Sequence, residues 1–198
     1  MRQEDGGRVE KAGATEALDV IYEDEVLLVA DKPAGILVHG DGTGARTLTD
    51  LVADHLAATG RPDARAQAVQ RLDVGTSGLV LFSLDKDTQP ALDAQVAGHA
   101  MAKRYLAVVQ GRFPSGDKVI EQPLGRDRHD ARRMRVCAPG RGKPALTRVH
   151  RLAYAGGRSL LAVELGSGRK HQIRVHLSRL GFPIVAVSYT HLRAHETA

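Results

Sequence analysis

The sequence predicts an α+β domain built on a mostly antiparallel mixed sheet flanked by helices and loops. Short apolar runs bounded by loop residues predict buried strands at Val26–Ala30 and Leu79–Phe82. Apolar residues at helical spacing predict helices near 48–56 and 90–96, and a pair of strands follows at 145–165. The chain shows no internal repeat, and 198 residues with 42% apolar content favour one substantial core over two.

The first third of the chain predicts one strand and one helix. Residues 1–17 are rich in Gly, Glu, Ala and Lys without periodicity, so we expect a flexible leader with order beginning near Leu18. The Val26–Ala30 strand is stopped by a loop that contains Pro33. Thr47 stands at the N-cap of the first helix. The apolar stripe of that helix consists of Leu48, Leu51, Val52 and Leu56.

The remaining elements follow in a similar way. Pro90 suits the first turn of a second helix, which leads into a strand containing Tyr105. Strands at 145–154 and 159–165 flank a Gly-Gly turn and predict a hairpin. A last helix ends at Gly181, with a proline two residues beyond. Its core stripe consists of Ile173, Leu177 and Leu180.

The charge distribution predicts a polyanionic partner. Residues 1–25 carry eight acidic and three basic residues, whereas residues 126–151 carry nine basic and two acidic residues. We expect the basic segment to bind RNA in a salt-dependent way, with a solvated loop as the alternative. The chain has no Trp and only seven Phe and Tyr residues, which argues against a module that stacks many successive bases.

Cysteine content and the N-terminal sequence bear on the cellular compartment. Cys137 is the single cysteine, so no intramolecular disulfide can form. No charged-then-apolar leader and no long apolar run occurs near the start. We therefore expect a cytoplasmic protein without a membrane segment.

The segment from Arg71 to Gly78 carries the strongest functional signal. It places a guanidinium and the Asp73 carboxylate two residues apart on a Gly-containing turn that leads directly into the strand at Leu79–Phe82. Active-site carboxylates are often presented on such rigidly held loops. The alternative is that Asp73 only closes a turn through its own backbone.

Five segments in this order resemble the pseudouridine synthases of the ribosomal-large-subunit type A family, from about Tyr22 to Val185. The segments are Asp31–Gly35 with Val38 and His39, Gln70–Gly78, Lys103–Val109, Pro123–Asp127 and Gly168–Leu177. Gln70 stands where the family usually has His. Gln keeps a donor and an acceptor but cannot titrate, so it can position a group but cannot transfer a proton.

The resemblance implies a single pseudouridine-synthase-like catalytic domain at residues 18–186 that isomerises uridine in ribosomal or transfer RNA. It implies Asp73 as the catalytic carboxylate, which either adds to the sugar C1′ or removes the 2′ proton. Arg174 lies off the core stripe of the last helix, and we expect it to pair with Asp73 and favour its ionised form. Tyr105 would contact the base and take the C5 proton, or would be a core aromatic residue.

Substrate-binding roles also come from the resemblance. Arg71 would enter the RNA stack when the uridine flips out, and Ile173 would form an apolar wall beside the base. Gln70 would have a positioning role, and His39 would help to shape the RNA surface. His171 and His176 are interpreted as structural. No metal or cofactor is expected, and the protein is expected to be a monomer.

Residues 187–198 are expected to be foreign to the domain. The segment from Val187 to Thr197 looks like a translated sequencing adapter, whereas the family continues after Pro-Ile-Val with Gly-Asp and further residues. We therefore expect a C-terminally incomplete domain whose last twelve residues pack loosely. His191 and His195 have metal-ligand spacing but no third ligand nearby.

Two other functions stay open at this stage. The first is a catalytically inactive RNA-binding fragment, because all motif residues would be present in that case as well. The second is a nucleoside hydrolase or glycosidase. It ranks lower because glycosidases generally use two carboxylates, and only Asp73 stands in a catalytic context.

Overall fold

A computed structural model describes residues 18–130 and 133–194, with side chains described up to residue 185. The predicted leader at residues 1–17 lies outside the described part. The elements are β1 (Asp19–Glu23), β2 (Leu27–Lys32), α1 (Leu48–Ala58), β3 (Gln67–Ala68), β4 (Thr76–Ser83), α2 (Gln89–Ala97), β5 (Met101–Gln110), β6 (Asp117–Glu121), β7 (Leu124–Arg126), β8 (Met134–Val136), β9 (Leu146–Ala155), β10 (Arg158–Leu165), α3 (Gln172–Arg179) and β11 (Ile184–Ala194).

The sheet is mixed and mostly antiparallel, which confirms the predicted fold class. Within the described residues its strand order is β1-β2-β4-β11-β5-β10-β9-β6. The short strand β3 also pairs with β4, outside this order. Only the β4–β11 pairing in this order is parallel. Strands β7 and β8 form a separate two-stranded ribbon. No helix in the described part of the chain is long and apolar enough to span a membrane.

Helix α1 begins where the sequence predicts. The Thr47 hydroxyl accepts a hydrogen bond from the Asp50 backbone N–H, and the Asp50 carboxylate accepts one from the Thr47 backbone N–H at 2.9 Å. This reciprocal pairing satisfies two backbone donors at the helix start. The four predicted stripe residues of α1 are all buried, so the cap and the stripe agree.

Two apolar clusters lie on different parts of the sheet and meet near its centre. One cluster gathers side chains from β2, α1 and β4, and the other gathers side chains from β5, β9, β10 and α3. Tyr105 on β5 packs against both clusters. Its ring therefore lies at the junction between the Asp73 loop, which precedes β4, and helix α3.

A buried polar chain fixes α3 to β9, and it supports the structural interpretation of His176. Gln172 donates to the Thr147 hydroxyl at 2.9 Å, and that oxygen lies 2.9 Å from Nδ1 of His176. Nε2 of His176 lies 2.9 Å from the carbonyl of Gln122. Nε2 donates to that carbonyl, and in the neutral ring Nδ1 accepts from the Thr147 hydroxyl. Burial lowers the pKa of His176.

This arrangement predicts a pH-dependent stability. Because the folded-state pKa of His176 is lowered, the unfolded chain binds a proton that the folded chain does not, once the pH falls below the ordinary His pKa of about 6.5. The contribution of His176 to the free energy of unfolding is therefore complete above that pH. It falls on acidification, by at most about 1.4 kcal/mol per pH unit. Urea unfolding of the native protein and of His176→Gln, between about pH 7 and pH 5, checks this. Equal pH dependence of the two proteins would contradict it.

The expectation of a loosely packed C-terminal segment is wrong for the backbone of residues 187–194. Val187 pairs with Ala107 of β5 and with Thr76 of β4, and the β5 pairing continues to Ala194 against Met101. The two flanking strands need partners for their N–H and C=O groups, and any extended backbone can supply them. The foreign origin of residues 187–198 stays a prediction, and residues 195–198 lie outside the described part.

Candidate active site

A cavity of about 260 Å³ opens between the loop before β4, strand β5 and the start of α3. Side chains from three distant parts of the sequence therefore meet in one place. Six of the seven predicted site residues line this cavity: Gln70, Arg71, Asp73, Tyr105, Ile173 and Arg174.

Backbone hydrogen bonds hold the Asp73 loop in a defined shape. The carbonyl of Asp73 accepts from the N–H of Thr76 at 2.9 Å, which closes the turn into β4. The carbonyl of Val74 accepts from the N–H of Gly35 at 2.7 Å and from Nζ of Lys32 at 3.3 Å. The loop that carries the carboxylate is thus joined to the loop after β2.

Lys32 is a fully buried lysine that joins these two loops. Its side chain has 0% exposure. Its ammonium group donates to the carbonyls of Pro33 at 2.8 Å and Ile36 at 2.9 Å, in addition to Val74. A buried ammonium group needs hydrogen-bond acceptors, and these three carbonyl oxygens supply them. Lys32 therefore acts on the site by positioning the Asp73 loop.

Replacing Lys32 with Met should destabilise the protein by about 3 kcal/mol or more, because it leaves the buried Ile36 contact and two part-buried carbonyl contacts without their donor. It should also lower activity, because the loop that carries Asp73 loses its anchor. Urea unfolding measures the free energy. Lys86→Met, at an exposed position, is the matched control and should stay within about 0.5 kcal/mol of the native value. A Lys32→Met protein as stable as this control would refute the positioning role.

The ion contact of Asp73 differs from the expected one. Nε2 of His171 lies 3.7 Å from Oδ1 of Asp73, and in the described part of the chain no such contact joins Asp73 to Arg174. The reason is local backbone geometry. His171 caps the start of α3 with φ 55°, a left-handed conformation that is uncommon for a residue with a side chain. Arg174 also lines the cavity, but it lies almost one turn further along α3 and is exposed.

Lys103 is a second cavity residue outside the predicted set. It lies two residues before Tyr105 on β5, so strand alternation places both side chains on one face. A Cβ atom on Gly168 would lie 3.2 Å from its Nζ, so the glycine allows the ammonium group to approach the backbone closely. Burial lowers the pKa of Lys103. The spacing from Tyr105 was a sequence signal for this residue, whereas nothing in the sequence signals the backbone conformation of His171.

Gln70 and His39 differ in their relation to the cavity. Gln70 donates to the carbonyl of Leu79 at 3.4 Å, while its buried Oε1 has no partner among the described residues. Gln70 lines the cavity, and its role in positioning the substrate stays a prediction. His39 is exposed, with Nδ1 3.2 Å from the Thr49 hydroxyl, and it does not line the cavity. Its role at an RNA surface stays a prediction.

The cavity combines one carboxylate with several cations and an apolar wall. The Asp73 side chain is 39% exposed, so it is open to a ligand while its loop stays fixed. Ile173 is buried and supplies part of the wall. The cationic side chains in the lining are Arg71, Lys103, Arg169, Lys170 and Arg174. This arrangement suits a carboxylate that acts on a polyanionic substrate.

Comparison with known proteins assigns the chain to a family. A family model described as RNA pseudouridylate synthase matches residues 26–179, which include the Asp73 loop, β5 and all of α3. The chain belongs to the RNA pseudouridylate synthase family. The resemblance predicted from the five motifs is confirmed.

Relatives in this family share more than a third of their aligned residues with the chain. The chain is 37% identical over 174 residues to the Bacillus subtilis protein named Uncharacterized RNA pseudouridine synthase YhcT, covering 86% of this chain and 57% of that protein. It is 36% identical over 173 residues to Ribosomal large subunit pseudouridine synthase D of Zymomonas mobilis, covering 85% and 54%. The chain thus spans about half the length of these curated relatives.

A solved human structure has the same fold. Human RNA Pseudouridylate Synthase Domain Containing 1 superposes with a TM-score of 0.77, at 23% identity, over 94% of this chain and 82% of that one. At this identity the likeness concerns the fold alone. The similarity covers most of the chain, so the pseudouridylate synthase fold extends beyond the motif-bearing segments.

Proposed function

We propose that this chain is an RNA pseudouridine synthase that isomerises uridine in ribosomal or transfer RNA, with Asp73 as the catalytic carboxylate. The observation that carries the proposal is the placement of Asp73, on a fixed loop within a small cavity that also holds Tyr105 and Ile173. A volume of about 260 Å³ is at or below the lower end of ordinary small-molecule sites, which are roughly 300–1,000 Å³. It suits a single flipped-out base.

The chemistry requires one carboxylate that is ionised. The N-glycosidic bond of the uridine breaks at C1′, the base turns in place, and C1′ joins C5 of the base. Asp73 either adds covalently to C1′ and then leaves, or removes the 2′ proton to give a glycal and returns it. In both routes the C5 proton leaves last. The net reaction is an isomerisation and consumes no co-reactant.

The neighbouring side chains have separate proposed roles. Tyr105 contacts the base and takes the C5 proton, and Ile173 provides an apolar wall beside it. His171 keeps a positive or hydrogen-bonding group near Asp73, in the place expected of Arg174. Arg71 is exposed at the rim, where its planar guanidinium can enter the space that the flipped base leaves. Gln70 has a positioning role in the cavity lining.

The substrate and the cellular setting are also proposed. The relatives named ribosomal large subunit pseudouridine synthase D favour ribosomal RNA as the substrate, with transfer RNA as the second choice. We infer a monomer that acts in the cytoplasm without a cofactor or metal.

Release of tritium from RNA labelled with 5-tritiated uridine tests the proposal. Isomerisation replaces the C5 hydrogen, so tritium must appear in solvent in proportion to pseudouridine formed. Free uracil in place of tritium release would identify a nucleoside hydrolase. RNA binding without either product would identify an inactive RNA-binding fragment.

A further inference from the structure

A second cavity, of about 640 Å³, lies between β8 and the outer side of α3. We call it the arginine groove, because four arginines line it: Arg133, Arg135, Arg174 and Arg179. None of its nine lining residues is acidic. Met134, Val136 and Val175 supply apolar surface between the charges.

Local periodicity produces this groove. Along α3, His171, Arg174, Val175 and Ser178 follow the spacing i, i+3, i+4 and i+7, so they share one side of the helix. Ile173 and Leu177 face the core instead. On the facing wall, Arg135 lies in β8 and Arg133 directly precedes that strand. A short helix and a short strand therefore face each other with cations on both walls.

The groove continues from the catalytic cavity. His171 and Arg174 line both spaces, so the route from Asp73 into the groove passes along one side of α3. The lysine and arginine side chains of the groove are all arginines, and a planar guanidinium can bind a phosphate through two parallel hydrogen bonds. Arg133 contacts Asp130 at 3.7 Å, which offsets part of its charge.

We propose that the arginine groove binds the phosphate backbone of the RNA strand adjoining the target uridine. This inference rests on the proposed function, because the groove leads away from a cavity that would hold the flipped base. It also divides the basic segment at residues 126–151 into members that bind RNA and members that do not. Arg148 pairs with Glu164 at 3.6 Å, and Arg151 donates to the carbonyl of Phe113. Both have structural partners away from the groove.

Two groove variants and one matched control test the proposal. Arg135→Gln and Arg179→Gln each remove one exposed guanidinium from the groove, and Arg148→Gln removes one from the same basic segment outside it. The probe is a fluorescein-labelled RNA stem-loop with a uridine in its loop, and anisotropy gives Kd over a series of KCl concentrations. Each lost phosphate contact should reduce the slope of log affinity against log salt by about 0.7 to 0.9. Arg148→Gln should keep the native slope.

Two results would overturn the proposal that the arginine groove binds RNA. One is a native slope of log affinity against log salt in both groove variants, and the other is an equal loss of slope in Arg148→Gln. The combined variant Arg135→Glu with Arg179→Glu adds a second readout, because reversed charges should weaken binding more than the two neutral changes together. Thermal melting selects variants that fold like the native protein. Tritium release by the native protein is measured separately. A native protein that binds RNA but releases no tritium would remove the proposed function and leave the groove as a binding site.

Discussion

Asp73→Asn should abolish isomerisation and leave RNA affinity nearly unchanged. In the proposed mechanism the Asp73 carboxylate adds to C1′ or takes the 2′ proton, and an amide of nearly the same volume can do neither. Tritium release should fall by about a thousandfold or more, as expected when a group that performs acid–base chemistry is lost. The contacts that hold the loop are backbone groups and Lys32, so the fold should survive.

The matched control for this experiment is Asp63→Asn, an exposed carboxylate outside the cavity lining. It should keep native turnover and native RNA affinity. If Asp73→Asn retained turnover within about tenfold of the native protein, Asp73 would not be the catalyst, since the loss would fall short of general acid–base catalysis. A parallel loss of RNA affinity in Asp73→Asn would instead indicate a disturbed loop.

Elements with local signals could be predicted well from the sequence. Thr47 and Asp50 form a cap within four residues of chain, so the start of α1 is readable without tertiary information. The turn between β9 and β10 needs positive φ at both central positions, and Gly156 and Gly157 provide it at 55° and 73°. In both cases the residues that decide the conformation are neighbours in sequence.

The contacts within the site depend on information that local patterns do not contain. The predicted partner of Asp73 was Arg174, because helical spacing places Arg174 off the core stripe. The observed neighbour is His171, which stands at the start of α3 in a left-handed backbone conformation. Lys103 could have been found from strand alternation, since it shares a face with Tyr105. The resemblance predicts the set of residues, but their pairing depends on the tertiary structure.

Deleting residues 187–198 should unfold the domain, whereas a loosely packed segment would be dispensable. Strand β11 lies between β4 and β5 at the centre of the sheet. Its removal leaves the adjoining edges of both strands without partners, next to the loop that carries Asp73. The free energy of unfolding should fall by an amount comparable with the whole stability of a domain, about 5–15 kcal/mol. Circular dichroism and thermal melting measure it, and removal of residues 195–198 alone is the control.

The backbone pairing of β11 does not depend on whether its sequence is native to the domain. A chimera with a family-type C-terminal segment tests the origin of the sequence separately. If residues 187–198 are foreign, they supply extended backbone but side chains that never adapted to the neighbouring strands. Replacing them with the Gly-Asp continuation typical of the family should then raise Tm by several degrees, since about 1 kcal/mol corresponds to roughly 2–4 °C at this size. An unchanged or lower Tm would show that the present segment already complements the sheet and belongs to the domain.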